Sequence, residues 1–295
     1  MKKIFIILFL IITPLSLFSK AYASACTVSS GVTTLPVGDS CMSEPDSYGI
    51  TLYSKYLCTS VPTVPADGVV YDLSNCVQTM SNSTGEVVRV TTASSDVALT
   101  SPVTRPPVGV YTHGVMIFKN EFLIKQNIKF DSDAQGDSQG TGGPTAGAIY
   151  CSTVSGSGNE SACDSIVCST SQGTAGEYGA ILPDFNVGGI SYEGTASETF
   201  ASGAIMNAYL LNTSNQLAAD ATEATAGGKM FGMIKFGTEV VVDKDTQGFN
   251  MSFNVSTGSS IWENSPTSCD GGAAKAGTYS VGSGPFQVLL TPVQY

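Results

Sequence analysis

Residues 105–130, RPPVGVYTHGVMIFKNEFLIKQNIKF, carry the clearest structural signal in the chain. From 122 to 130 the residues alternate, with Phe122, Ile124, Ile128 and Phe130 on one parity and Leu123, Lys125, Asn127 and Lys129 on the other. A period of two belongs to a strand with one buried face. Residues 110–118 are β-branched and aromatic, the composition of strands. Lys119-Asn120 between them reads as a two-residue turn, because Asn tolerates positive φ. The expectation is a β-hairpin. Its register sets Ile117 against Phe122, Val115 against Ile124, His113 against Gln126 and Tyr111 against Ile128, all on one sheet face.

Pro106-Pro107 cannot donate to a ladder, and Gly109 permits a tight lead-in to a strand. The string Pro107-Val108-Gly109-Val110-Tyr111 resembles the Pro-x-Gly-x-Tyr motif before a late strand of transthyretin-like sandwiches, including the B-repeat domains of bacterial collagen adhesins. The resemblance covers five residues. It implies a β-sandwich on a bacterial surface, and such repeats often carry a Lys–Asn isopeptide bond with an acidic catalyst. No such triad is assigned to residues of this chain.

At the start of the chain, Lys2 and Lys3 precede an apolar run over 4–12, then Pro14 and small residues around Ala23 and Ala25. This pattern predicts a signal peptide over 1–25, cleaved after Ala23 or Ala25. Its apolar run is too short for a hydrocarbon core of about 30 Å, and no later run is long enough. Cys26 after Ala25 would suit a relaxed lipoprotein site. Ala23 stands where a large aliphatic is usual, so soluble export is expected, to the periplasm, the cell surface or the medium. Cleavage removes Lys2, Lys3 and Lys20 and no acid, so the 13 basic residues fall to 10 against 24 acids, and the net charge goes from −11 to −14. Such a surface repels phosphate backbones, which argues against nucleic acid and anionic membranes as partners.

The eight cysteines are Cys26, Cys41, Cys58, Cys76, Cys151, Cys163, Cys168 and Cys269. An even count in an exported chain reads as disulfides. Without a Cys-x-x-Cys pair, and with His113 as the single histidine, ligands for a zinc site are scarce. Proximity predicts Cys26–Cys41 and Cys58–Cys76, each closing a loop worth about 3 kcal/mol in the chain-entropy model. Pairing among the other four is left open.

Strands are expected over 48–58, 69–80 and 86–92, the last two separated by a turn at Ser81-Asn82-Ser83-Thr84-Gly85. Together with the hairpin they predict a sandwich domain over 26–130. Residues 131–147, DSDAQGDSQGTGGPTAG, read as a linker or loop. Residues 148–295 are expected to form a second β-rich domain or to continue one large sandwich. Strands are read at 148–151 and 204–211. A short helix is read at 216–226, stopped by Gly227-Gly228. A second hairpin is read over 231–255, turning at 243–248, and residues 286–295 close the sheet as an edge strand because of Pro292.

Two loops share Asp-x-Asp-x-Gln-Gly: Asp131-Ser132-Asp133-Ala134-Gln135-Gly136 and Asp243-Lys244-Asp245-Thr246-Gln247-Gly248. Alternating carboxylates before a glycine resemble the opening of a calcium loop, which makes Asp131, Asp133, Asp243 and Asp245 the candidate calcium ligands. Gly142 and Asn254 stand where such a loop places its bidentate Glu. The competing reading is that Asp and Gly simply make turns.

His113 is the only imidazole, and a hydrogen-bonded structural role is expected for it. No nucleophile elbow or phosphate-cradling loop occurs, so no catalytic residue and no cofactor other than calcium is put forward. Trp262 beside Ile261 reads as core, with a sugar-stacking platform as the alternative. The expected class is an all-β, disulfide-stapled sandwich built from antiparallel hairpins. Its expected function is non-enzymatic: a surface filament, pilus-like or adhesin subunit that binds itself or another surface protein, with a secreted carbohydrate-binding module as the alternative. For a polymerising subunit, residues 27–37 are the candidate donor strand and the edge near 286–295 the acceptor. A Cys26–Cys41 bridge would fold that donor back on itself.

Overall fold

The computed structural model describes residues 24–35, 40–91, 94–139, 143–159, 164–185, 191–196, 203–263 and 277–294. The leader over 1–23, Cys163 and Cys269 lie outside them. The protein is all-β. In chain order the first strands are β1 (Thr27–Ser29), β2 (Val32–Thr34), β3 (Ser40–Ser43), β4 (Ser47–Cys58), β5 (Cys76–Val90), β6 (Ser94–Val97) and β7 (Gly109–Lys125). Next come β8 (Asn127–Lys129), β9 (Gln135–Gly136), β10 (Tyr150–Thr153), β11 (Gly156–Asn159), β12 (Ile166–Ser169), β13 (Tyr178–Ile181) and β14 (Glu193–Ala196). The last are β15 (Ile205–Leu211), α1 (Ala221–Gly227), β16 (Lys229–Val242), β17 (Thr246–Asn254), β18 (Ser259–Glu263), β19 (Thr278–Ser283) and β20 (Gln287–Gln294).

The stretch read as a hairpin is one strand of 17 residues, β7. His113 lies within β7 and Gln126 just past its end, roughly 40 Å apart at about 3.3 Å per residue, so they do not face each other. His113 instead stands between Cys58 on β4 and Lys235 on β16. The alternation at 118–125 is real, but Val115 and Ile117 face one core cluster while Met116, Phe118, Phe122 and Ile124 face another. A strand at the centre of a sheet with both faces covered needs apolar residues on both parities.

Asn120 makes no turn because its hydrogen bonds go to distant backbone. It is 2 % exposed. Its N–H donates to Gly228 O at 3.0 Å, its Nδ2 donates to Leu182 O at 2.8 Å, and its Oδ1 accepts from the Leu182 N–H at 3.3 Å. This is the point where the neighbour along that edge of β7 changes from β16, which begins opposite Lys119, to β13, which pairs from Phe122 to Ile124. Along the other edge, β4 pairs β7 from Lys125 back to His113, with register shifts on both sides of Leu52, and β5 pairs β4. Beyond β16 lie β15 and β14, and beyond β13 lies β11, which completes the central sheet. Strands from both sides of 131–147 thus share one sheet.

The expected turn at 81–85 is also internal to a strand. Leu52 pairs Glu86 and Ser54 pairs Ser81, so residues 82–85 bulge out opposite Tyr53. The turn chemistry is present, with Asn82 Oδ1 accepting from Thr84 N–H at 3.0 Å and Gly85 at φ 83°. Residues 236–239 bulge in the same way between Lys235 and Val240. Long strands in a twisted sheet shed register at such points.

Over the inner face of the central sheet lie two smaller sheets, β20–β17–β6 and β3–β18–β19–β9. Tyr48, Phe118, Phe122, Phe253 and Phe286 form the aromatic heart between the layers, with ring centroids 5.7–6.1 Å apart in successive contacts. A third small sheet, β12–β10–β8, continues the chain from β7. The 243–248 turn is real: Asp243 Oδ1 accepts from Asp245 N–H at 3.0 Å and from Thr246 Oγ1 at 2.9 Å. The strands it joins do not form the expected hairpin. β16 pairs β15 and β7, whereas β17 pairs β20 and β6. The turn carries the chain between layers, so the apolar parities of β16 and β17 meet across the core instead of side by side.

β20 is an edge strand, as Pro292 requires, with β17 as its ladder partner. The helix is capped by Asp220, whose Oδ1 accepts from Glu223 N–H at 2.8 Å, and it ends at Gly228 with φ 60°. Disulfides join Cys26–Cys41 and Cys58–Cys76 as expected, and also Cys151–Cys168, which are direct cross-strand partners on β10 and β12. The N-terminal segment is used internally: β1 pairs β2, and Leu35 reaches the core at 9 % exposure. That removes 27–35 as a free donor strand. Val37 lies outside the described residues.

Residues 131–139, from the stretch read as a linker or loop, pack against the body of the protein. Ala134, Gln135 and Asp137 are buried. The Asp137 carboxylate accepts from Ser165 N–H and Oγ and from Ile166 N–H at 2.5–2.9 Å. Burial nonetheless holds its pKa above the usual carboxylate range, with those hydrogen bonds acting the other way.

Candidate functional site

The structure puts the residues singled out from sequence into separate, mostly structural settings. His113 is buried; its Nδ1 lies 2.8 Å from Thr112 Oγ1. Burial, and then the charge of Lys235, push its pKa down. Trp262 is half-buried on β18, with Ser40 and Ser280 as its cross-strand neighbours and Ile261 beside it in the core. Asp131 accepts from Thr34 Oγ1 at 2.8 Å, and Asp133 from Gly147 N–H at 2.8 Å. Asp245 pairs Lys244, and Asp243 closes its own turn. No cluster of three or more His, Cys, Asp or Glu forms around either Asp pair among the described residues. Asp243 thus makes the contacts of a turn-forming carboxylate, whereas Asp131 and Asp133 bond residues 97 and 14 positions away.

The surface with the most chemistry is the outer face of the central sheet, which sequence reading did not single out. Its core cluster comprises Cys58, Val115, Ile117, Tyr209, Leu211, Phe231 and Met233. The loop over 59–75, closed by Cys58–Cys76, folds across it and lays down Val64, Tyr71 and Leu73. Within this loop Asp67-Gly68 makes a tight turn, with Ala66 and Val69 exchanging backbone hydrogen bonds at 3.0 and 3.1 Å. Ala66 O also accepts from Leu217 N–H at 3.3 Å, which ties the loop to the end of β15.

Tyr53, Tyr56 and Tyr71 ring this cluster and are each half-exposed. Tyr71 packs on Phe231 with centroids 5.0 Å apart, and Phe231 in turn meets Tyr209 edge-on at 5.8 Å. Tyr56 Oη accepts from Gln78 Nε2 at 3.0 Å. Burial, with Tyr56 nearby as a second cause, raises the Tyr71 pKa. Lys229 and Lys119 are direct cross-strand partners on this face. Lys119 pairs Glu121, and Lys229 Nζ lies 5.7 Å from the Tyr53 ring centroid. Gly85, in its left-handed conformation, brings the β5 bulge against that same ring; a Cβ there would sit 3.0 Å from Tyr53 Cε1.

The one hint in the sequence is that Tyr53 leaves the parity of Tyr48, Ile50 and Leu52; Tyr53 is the extra residue where β4 bulges against β7. The loop that completes the face could not be placed without the fold. Among the described residues no helix is long and apolar enough to cross a membrane, and the disulfides are consistent with an oxidising compartment. No family model, curated protein or solved structure matches this chain.

Proposed function

We propose that the protein is exported and serves as a non-enzymatic surface subunit of the filament or adhesin class, self-associating through sheet edges. The observation that supports this reading is the β20–β17–β6 sheet. Both of its outer strands find their ladder partner in β17, on one side only, among the described residues. An edge of this kind offers backbone donors and acceptors to another chain. The N-terminal segment is occupied within its own subunit, so the reading has a neighbour's β6 or β20 edge as the partner.

Sedimentation and negative-stain imaging of the mature protein test it. The expected result is concentration-dependent polymers that weaken in Val293→Lys, since Val293 is exposed on β20 and a charge on an edge opposes pairing. A protein that stays monomeric at high concentration overturns the filament reading. Should that monomer still bind saccharides, it is a carbohydrate-binding module.

A further inference from the structure

The outer-face lysines and tyrosines form an arrangement that stability alone does not explain. Like charges directly opposite on neighbouring strands destabilise a sheet, yet Lys119 and Lys229 occupy such a pair. Lys235 follows on the same parity of β16. Three of the 10 basic residues left after position 25 (13 less Lys2, Lys3 and Lys20) thus stand on one face of two adjoining strands, while residues 26–295 carry a net charge of −14 (10 basic against 24 acidic). Glu121 offsets Lys119. The charge partner of Lys229 is the face of the Tyr53 ring. Among the described residues its ammonium is not held by a carboxylate, which leaves it able to turn to an incoming anion.

Beside these ammonium groups are half-exposed ring surfaces. Tyr71 rests one face on Phe231, and Tyr53 is fixed by the Gly85 bulge. Phenol rings with a wet hydroxyl end suit ligands that present both C–H faces and hydroxyls. At physiological ionic strength the screening length is about 8 Å, so acids beyond that reach do not cancel this local field; on the face itself Glu121 is engaged by Lys119 and Glu193 lies beside Tyr209. We infer that the Tyr53–Tyr71–Lys229–Lys119 face binds an acidic oligosaccharide: the tyrosine rings receive sugar faces, and Lys229, with Lys119, receives carboxylate or sulfate groups. This rests on the adhesin side of the reading above and adds to it a ligand class and the residues that select it.

The test is calorimetric titration of the mature protein with hexagalacturonate and with its methyl ester, which removes the charge and keeps the sugar. The acid is expected to bind at least ten-fold more tightly than the ester and to weaken as salt rises. Lys229→Gln should reduce affinity for the acid at least ten-fold and leave the ester little changed. Tyr71→Leu, which keeps packing on Phe231, should weaken both ligands, whereas Trp262→Ala should alter neither. Equal affinity for acid and ester, no detectable binding of either, or unchanged affinity in Lys229→Gln overturns the assignment. Sedimentation of the same samples separates the two ideas, since polymers that persist without saccharide binding sink only this site.

Discussion

The two faces of the central sheet are buried by different means. The inner face is covered by whole sheets and an interlocked aromatic cluster of Phe118, Phe122 and Phe286. The outer face is covered by one loop, held by a disulfide at its base and by tyrosines that stay partly in water. Burial against a sheet is permanent and supplies the stability, whereas burial under a strap leaves a chemically varied surface. On the proposal above, the first face is scaffold and the second is where a ligand would bind.

The sharpest way to break this contrast is Phe118→Ala. Phe118 is 2 % exposed between the layers, and its loss should cost about 3–5 kcal/mol in denaturant unfolding. A loss as small as that of a surface substitution would mean that the inner core is not the main source of stability. On the outer face, replacing Cys58 and Cys76 together by Ser should cost about 3 kcal/mol. Hydrogen exchange should then speed up over 63–72 before β7 is affected. Simultaneous loss of protection in loop and strand would show the strap to be part of the scaffold.

Lys55 sharpens the comparison from inside. It sits opposite Met80 and Met116 of the inner core at 6 % exposure, and burial alone pushes its pKa down. The folded state then holds fewer protons than the unfolded state at pH values between the lowered pKa and 10.5, so stability rises with pH across that window. Lys55→Met should add roughly 1–3 kcal/mol near neutrality, the cost of taking a polar group out of water, and flatten the alkaline rise. A melting curve showing Lys55→Met to be the weaker protein would contradict the burial.

The smallest effect is expected at the rim. Burial alone would raise the Glu86 pKa, but hydrogen bonds from Ser101 and Thr100 together hold it at about 2. The stabilisation is present above pH 4.5, the ordinary value, and is lost as pH falls toward 2. Solvent screening keeps it below about 1 kcal/mol. Glu86→Gln should remove that part of the acid sensitivity, and an unchanged acid-unfolding midpoint would place it elsewhere.

Most of the fold class was legible in sequence, and the reason lies in local chemistry. Alternation at 122–130 and 249–255, the stop of the helix at Gly227-Gly228, Pro292 on an edge, and two of the three disulfides among the described residues all follow from neighbours in the chain. The hairpin at Lys119-Asn120 did not follow, nor did the turn at 81–85. Asp243 makes a turn because its carboxylate bonds two and three residues ahead. Asn120 carries the same local preference but finds Leu182 and Ala224, 62 and 104 residues away. Turn propensity states only what a side chain would do without better partners.

By itself, then, the sequence determined an all-β, disulfide-bonded chain and the positions where it prefers to bend. The tertiary structure alone decided which bends become bulges inside long strands, which sheet each strand joins, and that Tyr53, Tyr71, Lys119 and Lys229 share one face. Strand pairing is set by contacts between residues far apart in the chain, and a two-residue periodicity records only that a face is buried, not what buries it.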